Sequence, residues 1–378
     1  MKKKYLINSI PLLSPITGVA RYLYEISKHL EKRKDIKITF FYGYYANKLL
    51  EFSDNTNLKF IKKTISKIYF LKKISRKLLL IYSNIFYKRE FKLYWEPNFI
   101  PLSSIKAKKI ITSVHDFSFI LYKDFHPKER IEYFENNFFK NIYRNDRIIC
   151  FSCFTKEEII KYINFPAEKI DVIYHGIDHK LFKVYNDLDI NIDLPKRFIF
   201  CVGSIEPRKN LLGLLKVYNL LDKDMKEKYK LVLAGFKGWE NKEIMQLIKQ
   251  NEDFIKYLGY ISDEELAKVY NLASLFIYPS FYEGFGLPIV EAMACGTPVI
   301  TSNVSSLPEV GGDAVIYVNP NDINDIKEKI QIVLNNEGLQ KQMIQKGLKR
   351  AKEFTWEKSA KKHIELFQKV INEDSNSS

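Results

Sequence analysis

The chain has 378 residues, enough for two domains of ordinary size, and its 46% hydrophobic and 28% charged residues let each domain bury a normal core. No apolar run approaches the roughly 18 residues that a membrane-spanning helix needs, and four cysteines in so long a chain make no disulfide framework; secreted, fibrous and membrane-spanning readings are excluded, and a cytosolic setting is the default. The formal charge of +15 is lopsided: Met1 to Phe182 holds 34 Lys and Arg against 18 Asp and Glu, and the remainder 26 against 27, so one half is built to face something anionic.

The opening KKKYLINSI is broken by Asn8, Ser9 and Pro11, which suits a buried first strand, Tyr5–Asn8, better than a signal peptide. The loop SPITGVARY leads into a helix over Val19–Lys32, with Gly18 permitting close backbone approach and Arg21 in the first turn. A strand follows at Ile38–Phe41. Lys59 to Lys92 then carries eleven basic residues and only Glu90 as an acid, with Ile61, Ile65, Ile68, Leu71 and Ile74 at helical spacing. That composition fits a helix lying on an anionic bilayer, or a packed helix with a solvated basic face. No nucleic-acid-binding motif accompanies the charge, so nucleic acid is not expected.

Strands at Lys109–Val114, Arg147–Phe151 and Ile170–Ile173 alternate with helices at Lys128–Tyr143 and Lys156–Ile163, the latter with a capping box from Thr155 and Glu158. The polar, aperiodic stretch Lys183–Lys196 is the expected linker. A second alternating set follows, with strands at Phe198–Val202, Lys230–Leu233, Ile255–Leu258, Leu275–Tyr278, Val299–Thr301 and Ala314–Val318, and a helix from Trp356 to about Val370 closes the chain. The expectation is an α/β protein of two doubly wound, Rossmann-like domains facing across a cleft. Residues 1–182 form the first and 197–355 the second, with the C-terminal helix of about 356–378 packing back near the first. Such domains bind ligands at the carboxyl ends of their strands, so the cleft is the natural active site.

Four clusters fall at those strand ends. The densest is SFYEGFGLPIVEAMACGTPVITS, from Ser280 to Ser302: the turn Gly284-Phe285-Gly286 precedes a helix with Pro288 near its start, an anion or hydroxyl cradle bracketed by Glu283 and Glu291. Either carboxylate has a plain alternative, Glu291 as a helix acid favoured by the dipole and Glu283 as a surface residue. In GSIEPRKN, Arg208 and Lys209 adjoin at a strand-to-helix turn, where basic charge opposes the helix dipole and an anion such as a diphosphate would relieve it. In SVHDFS, His115 and Asp116 suit proton transfer or sugar binding, or simply structure. The Gly18 loop is the fourth. Cys150 and Cys153 have CxxC spacing without a second pair, and no DxD lies in a strand-end loop, so no metal is expected.

Together these clusters, with AGFKGWEN, LGYISDEELAKVY and the long run YEGFGLPIVEAMACGTPVITSNVSSLPEVGGDA, resemble the retaining GT-B glycosyltransferases of family 4, most nearly the bacterial mannosyltransferase-like members that build surface polysaccharide (O-antigen or capsule). The resemblance covers nearly the whole chain, although TGVARY has Ala20 where the family's loop more often carries a second glycine. It implies a metal-independent hexosyltransferase that needs no cofactor and takes a nucleotide sugar, GDP-mannose first and UDP-hexoses second, to a lipid-linked or polysaccharide acceptor. Carried onto this chain, Arg208 and Lys209 would neutralise the donor diphosphate, with Gly18 lining its path from the opposite domain. Glu291 would hold the ribose and Tyr260 would border the base. Glu283, with the backbone of Gly284, Phe285, Gly286 and Leu287, would hold the sugar, and His115 would touch it near the reacting carbon. The enzyme would work at the inner face of the cytoplasmic membrane, held by Lys59–Lys92. The rival from another class is a non-catalytic carbohydrate-binding protein on the same fold.

Overall fold

In a computed structural model, which describes residues 2–13, 18–51, 91–236 and 242–373, the chain forms two parallel α/β sheets. The first sheet orders its strands β3-β2-β1-β4-β5-β6-β7: β1 Lys3–Asn8, β2 Ile36–Phe41, β3 Tyr45–Ala46, β4 Phe91–Glu96, β5 Ala107–Val114, β6 Arg147–Cys150 and β7 Ile170–Val172. All neighbours are parallel except the two-residue β3, which pairs antiparallel with β2. The second sheet, β10-β9-β8-β11-β12-β13, is parallel throughout, with β8 Phe198–Val202, β9 Lys230–Ala234, β10 Ile255–Tyr257, β11 Leu275–Tyr278, β12 Val299–Ser302 and β13 Ile316–Val318. Strand order reverses between β1 and β4 in one sheet and between β8 and β11 in the other. Crevices open at such reversals, and these two fix where ligands can sit.

Two departures from the sequence reading stand out. The strand β4, not among the expected ones, lies at the centre of the first sheet; FKLYWE buries Phe91, Leu93, Tyr94 and Trp95, and Lys92, the last residue of the basic segment, sits on this strand and not on a helix. Residues 59–90 of that segment lie outside the described residues. The helix expected from Lys156 begins at Cys153, and its cap is Ser152, whose hydroxyl accepts from the Thr155 amide at 3.1 Å. Thr155 is therefore inside the first turn, and Glu158 is left to bond elsewhere.

The C-terminal helix, Trp356–Asn372, crosses back onto the first sheet. Its buried face, Ala360, His363, Leu366, Phe367, Val370 and Ile371, has the spacing of one helical side. Phe367 packs on Tyr5 and Trp95, with ring centres 6.3 and 5.5 Å apart. A hydrogen-bond relay pins it. Trp95 Nε1 donates to Ser113 Oγ (3.0 Å), Ser113 lies 2.9 Å from the Tyr22 hydroxyl, and Tyr22 lies 2.6 Å from His363 Nε2. The other ring nitrogen, Nδ1, lies 2.8 Å from the Ser359 carbonyl, which can only accept. His363 Nδ1 therefore carries the proton and Nε2 accepts from Tyr22. Burial pushes the His363 pKa down to about 4, so the ring is neutral. Truncating a buried aromatic such as Phe367 to Ala would cost about 3–5 kcal/mol.

Candidate active site

At the β8/β11 reversal the chain leaves β8, makes the short 3-10 turn Pro207–Lys209, and brings Arg208 and Lys209 beneath the residues that follow β11. Neither is a surface cation. Arg208 Nη1 donates to Glu283 Oε2 (3.0 Å) and to the Tyr282 carbonyl (2.7 Å), and Nη2 donates to Glu206 Oε1 (2.9 Å). Lys209 Nζ donates to Glu283 Oε1 and to the Tyr278 hydroxyl, each at 2.5 Å. Burial works against ionising Glu283, but Lys209 and Arg208 outweigh it and hold its pKa at about 2. Burial also lowers the Lys209 pKa, with Arg208 adding to the fall and Glu283 opposing it. The four charges balance: two cations, Glu283 and Glu206. Arg208 Nε is buried without a hydrogen-bond partner among the described residues.

The segment after Glu283 turns at Gly284-Phe285-Gly286 and starts the helix Leu287–Ala294 from a left-handed Gly286 (φ 103°). A Cβ on Gly284 would lie 1.8 Å from the His115 carbonyl oxygen, so this position must be glycine for the two domains to meet. Ser152 Oγ donates to the Gly284 carbonyl at 2.8 Å, across the same junction. The Phe285 side chain is buried against His175, with ring centres 5.2 Å apart, leaving only its backbone for a ligand. Gly18 opens the first helix on the opposite wall, where a Cβ would come 3.8 Å from Leu287.

Glu291 is buried, one turn into that helix, and accepts from Tyr270 at 3.3 Å. Burial raises its pKa, with Arg21 opposing. Arg21 reaches over from the first domain, 3.9 Å from Glu291 and ion-paired with Asp263. Tyr260 is 55% exposed and stacks on Phe236, with centres 4.4 Å apart and planes 20° from parallel. Phe236 is a partner the sequence reading missed.

His115 sits at the end of β5. Its Nε2 lies 2.7 Å from the Pro97 carbonyl and so carries the proton, and burial pushes its pKa down to about 4. It is a neutral ring whose donor nitrogen is already engaged. Asp116 does not pair with it; Oδ1 accepts from the amide and hydroxyl of Ser118 (2.9 and 2.7 Å) and so shapes the next turn. The structure therefore joins Arg208, Lys209 and Glu283 in one cluster and Glu291 with Arg21 in a second, while His115 meets the Gly284 turn through its backbone.

Sequence reasoning missed Glu206 and Glu309. Glu206 stands two residues before Arg208 in the quoted motif and was readable as its counter-ion. Glu309, on the helix Leu307–Gly311, accepts from the amides of Cys153 (2.8 Å) and Phe154 (3.2 Å) and from Tyr174 (2.7 Å), tying the second domain to the first. Nothing in its local sequence marks that reach. Cys150 is buried and Cys153 exposed, both as free thiols, and among the described residues no group of three His, Cys, Asp or Glu forms a metal cage. Among the described residues no helix is long and apolar enough to cross a membrane.

Comparison with known proteins agrees with this fold. Residues 16–181 match the model for "Glycosyltransferase Family 4" and residues 187–350 that for "Glycosyl transferases group 1". The O-antigen chain mannosyltransferase B of Escherichia coli is 32% identical over 97% of this chain and 99% of its own. The sucrose-phosphate synthase of Thermosynechococcus elongatus shares the fold with a TM-score of 0.74 at 20% identity, covering 98% of this chain and 99% of that one. WaaG, a glycosyltransferase involved in lipopolysaccharide biosynthesis, does so with a TM-score of 0.66 at 11% identity, covering 96% and 99%. With a relative of that identity along almost its full length and a family model on each half, the chain belongs to the GT-B glycosyltransferases of family 4.

Proposed function

We propose that the protein transfers mannose from GDP-mannose, with retained anomeric configuration, to a hydroxyl of a lipid-linked or polysaccharide acceptor. The observation that carries this is the buried Arg208–Lys209–Glu283 cluster, placed at the strand reversal of a chain so similar to an O-antigen chain mannosyltransferase. The leaving diphosphate would sit against Arg208 and Lys209, which stabilise charge as it develops there. Those two cations and the start of the helix after Gly286 would take the part that a metal ion plays elsewhere. Gly18 and Arg21 would close the diphosphate path from the opposite domain, Glu291 would hold the ribose, and the Phe236–Tyr260 stack would border the base.

A carboxylate held at a pKa of about 2 by two cations is a weak nucleophile, so Glu283 is suited to positioning the sugar and not to forming a bond with it. A front-side route, in which the departing phosphate accepts the acceptor proton, follows from that. His115, neutral and fixed by Pro97, would contact the sugar without exchanging a proton. Lys59–Lys92 would hold the enzyme on the inner membrane face beside its acceptor. Measuring nucleotide release across a panel of nucleotide sugars, then the product's anomeric configuration by NMR, tests this reading. Release from GDP-mannose with an α-linked product is expected; turnover of another donor only, or inversion, would overturn it.

A further inference from the structure

One cavity of about 660 Å³ belongs to neither cluster. The helix Cys153–Ile163 presents Phe154, Glu157, Glu158, Lys161 and Tyr162 to it, positions that fall on one helical face. Phe281 and Tyr282 wall it from the second domain, and Val304 and Ser305 form its far side. These two segments bracket Glu283, whose amide donates to Ser305 Oγ at 3.0 Å. The cavity thus ends one residue from the Arg208–Lys209 cluster, yet Arg208, Lys209, Glu291 and Tyr260 do not line it.

Its chemistry selects among occupants. The acids and bases on its walls are Glu157, Glu158 and Lys161, with no excess of cations to hold a nucleoside diphosphate or a lipid phosphate. An alkyl chain would leave Glu158 facing it with no bond beyond the one from Tyr282. Glu158 is buried and accepts from the Tyr282 hydroxyl at 2.5 Å, which uses one of the roughly four acceptor positions of a carboxylate. Its pKa is lifted to about 7, chiefly by burial, so further hydroxyl donors would relieve a strained charge. A neutral polyol with an apolar ring face satisfies both the aromatic walls and the carboxylate.

We propose that this cavity is the acceptor subsite and takes a mannose-containing oligosaccharide, with Phe154 and Tyr162 stacking on sugar rings and Glu158 accepting their hydroxyls. This rests on the glycosyl-transfer reading above, and the test separates the two. Mannotriose carrying a fluorescent tag at its reducing end is titrated into the full chain, and its use as acceptor for GDP-mannose is measured in parallel. Phe154→Ala, which removes a stacking face, and Val304→Trp, which fills the cavity while keeping the wall apolar, should each weaken mannotriose binding and raise its KM about tenfold, with GDP-mannose KM changed less than twofold. No binding of mannotriose to the wild type, or unchanged affinity in both variants, overturns the subsite. If mannotriose binds and both variants weaken it while GDP-mannose is never turned over, the subsite stands and the transfer reading falls.

Discussion

Lys209→Ala should damage the protein in two separable ways. Lys209 is buried beside Glu283, and the four charges of the cluster sum to zero, so removing the ammonium leaves one uncompensated negative charge in a desolvated site. Breaking a buried pair from one side costs about 3–5 kcal/mol of stability. On the proposed role, losing one charge-stabilising contact to the leaving diphosphate would cost about 3 kcal/mol of barrier, roughly 10²-fold in kcat. The double variant Lys209→Met/Glu283→Gln restores neutrality, since Arg208 keeps Glu206, and should recover most of the lost stability. It should recover none of the rate, because the diphosphate would still lack its proposed partner. Chemical denaturation and steady-state nucleotide release on the same samples decide the matter. A folded Lys209→Ala enzyme with near-normal kcat, or a double variant that regains activity with stability, would refute the reasoning.

Glu291→Ala should raise donor KM about tenfold with little change in kcat, because ribose contacts differ little between ground and transition states; initial rates against donor concentration would show it. EDTA should leave the rate intact, and full dependence on added Mg²⁺ or Mn²⁺ would reject the assigned role of Arg208 and Lys209. His363, with its folded pKa lowered from 6.5 to about 4, contributes stability that is complete above pH 6.5 and is lost as pH falls toward 4. At pH 5 that loss is about 2 kcal/mol, so His363→Gln should flatten the acid side of the stability profile by that amount, read by denaturant titration at pH 5 and 7. Changing Lys62, Lys63, Lys72 and Lys73 together to Gln should release the protein from anionic vesicles in a flotation assay, by several kcal/mol at about 1 kcal/mol per basic residue, while sparing donor binding.

Much of the scaffold was legible from alternation alone. Phe198–Val202 and Leu275–Tyr278 carry continuous apolar runs bounded by polar turns, because strands covered on both faces need nothing else. FKLYWE is hard to read because Lys92 interrupts its apolar run, Glu96 ends it and a long basic stretch precedes it; its partners, β1 and β5, are remote in sequence. In the site, residue identity was legible and residue pairing was not. Arg208, Lys209 and Glu283 were each picked out, but about 75 positions separate the last two, and only folding shows that the cations meet a carboxylate before any ligand. Arg21 to Glu291 and Glu309 to Cys153 are likewise contacts across the cleft, which local pattern does not encode.

The return of the C-terminal helix to the first sheet sets an order of events during synthesis. The ribosome delivers Tyr5, Tyr22 and Trp95 early, but Phe367 and His363, which cover and bond them, emerge only after the whole second sheet. The amino-terminal domain therefore waits with an apolar face open while about 180 further residues, from Lys183 to His363, are translated. Completion of the first domain is a late step, and it reports that the second has been made.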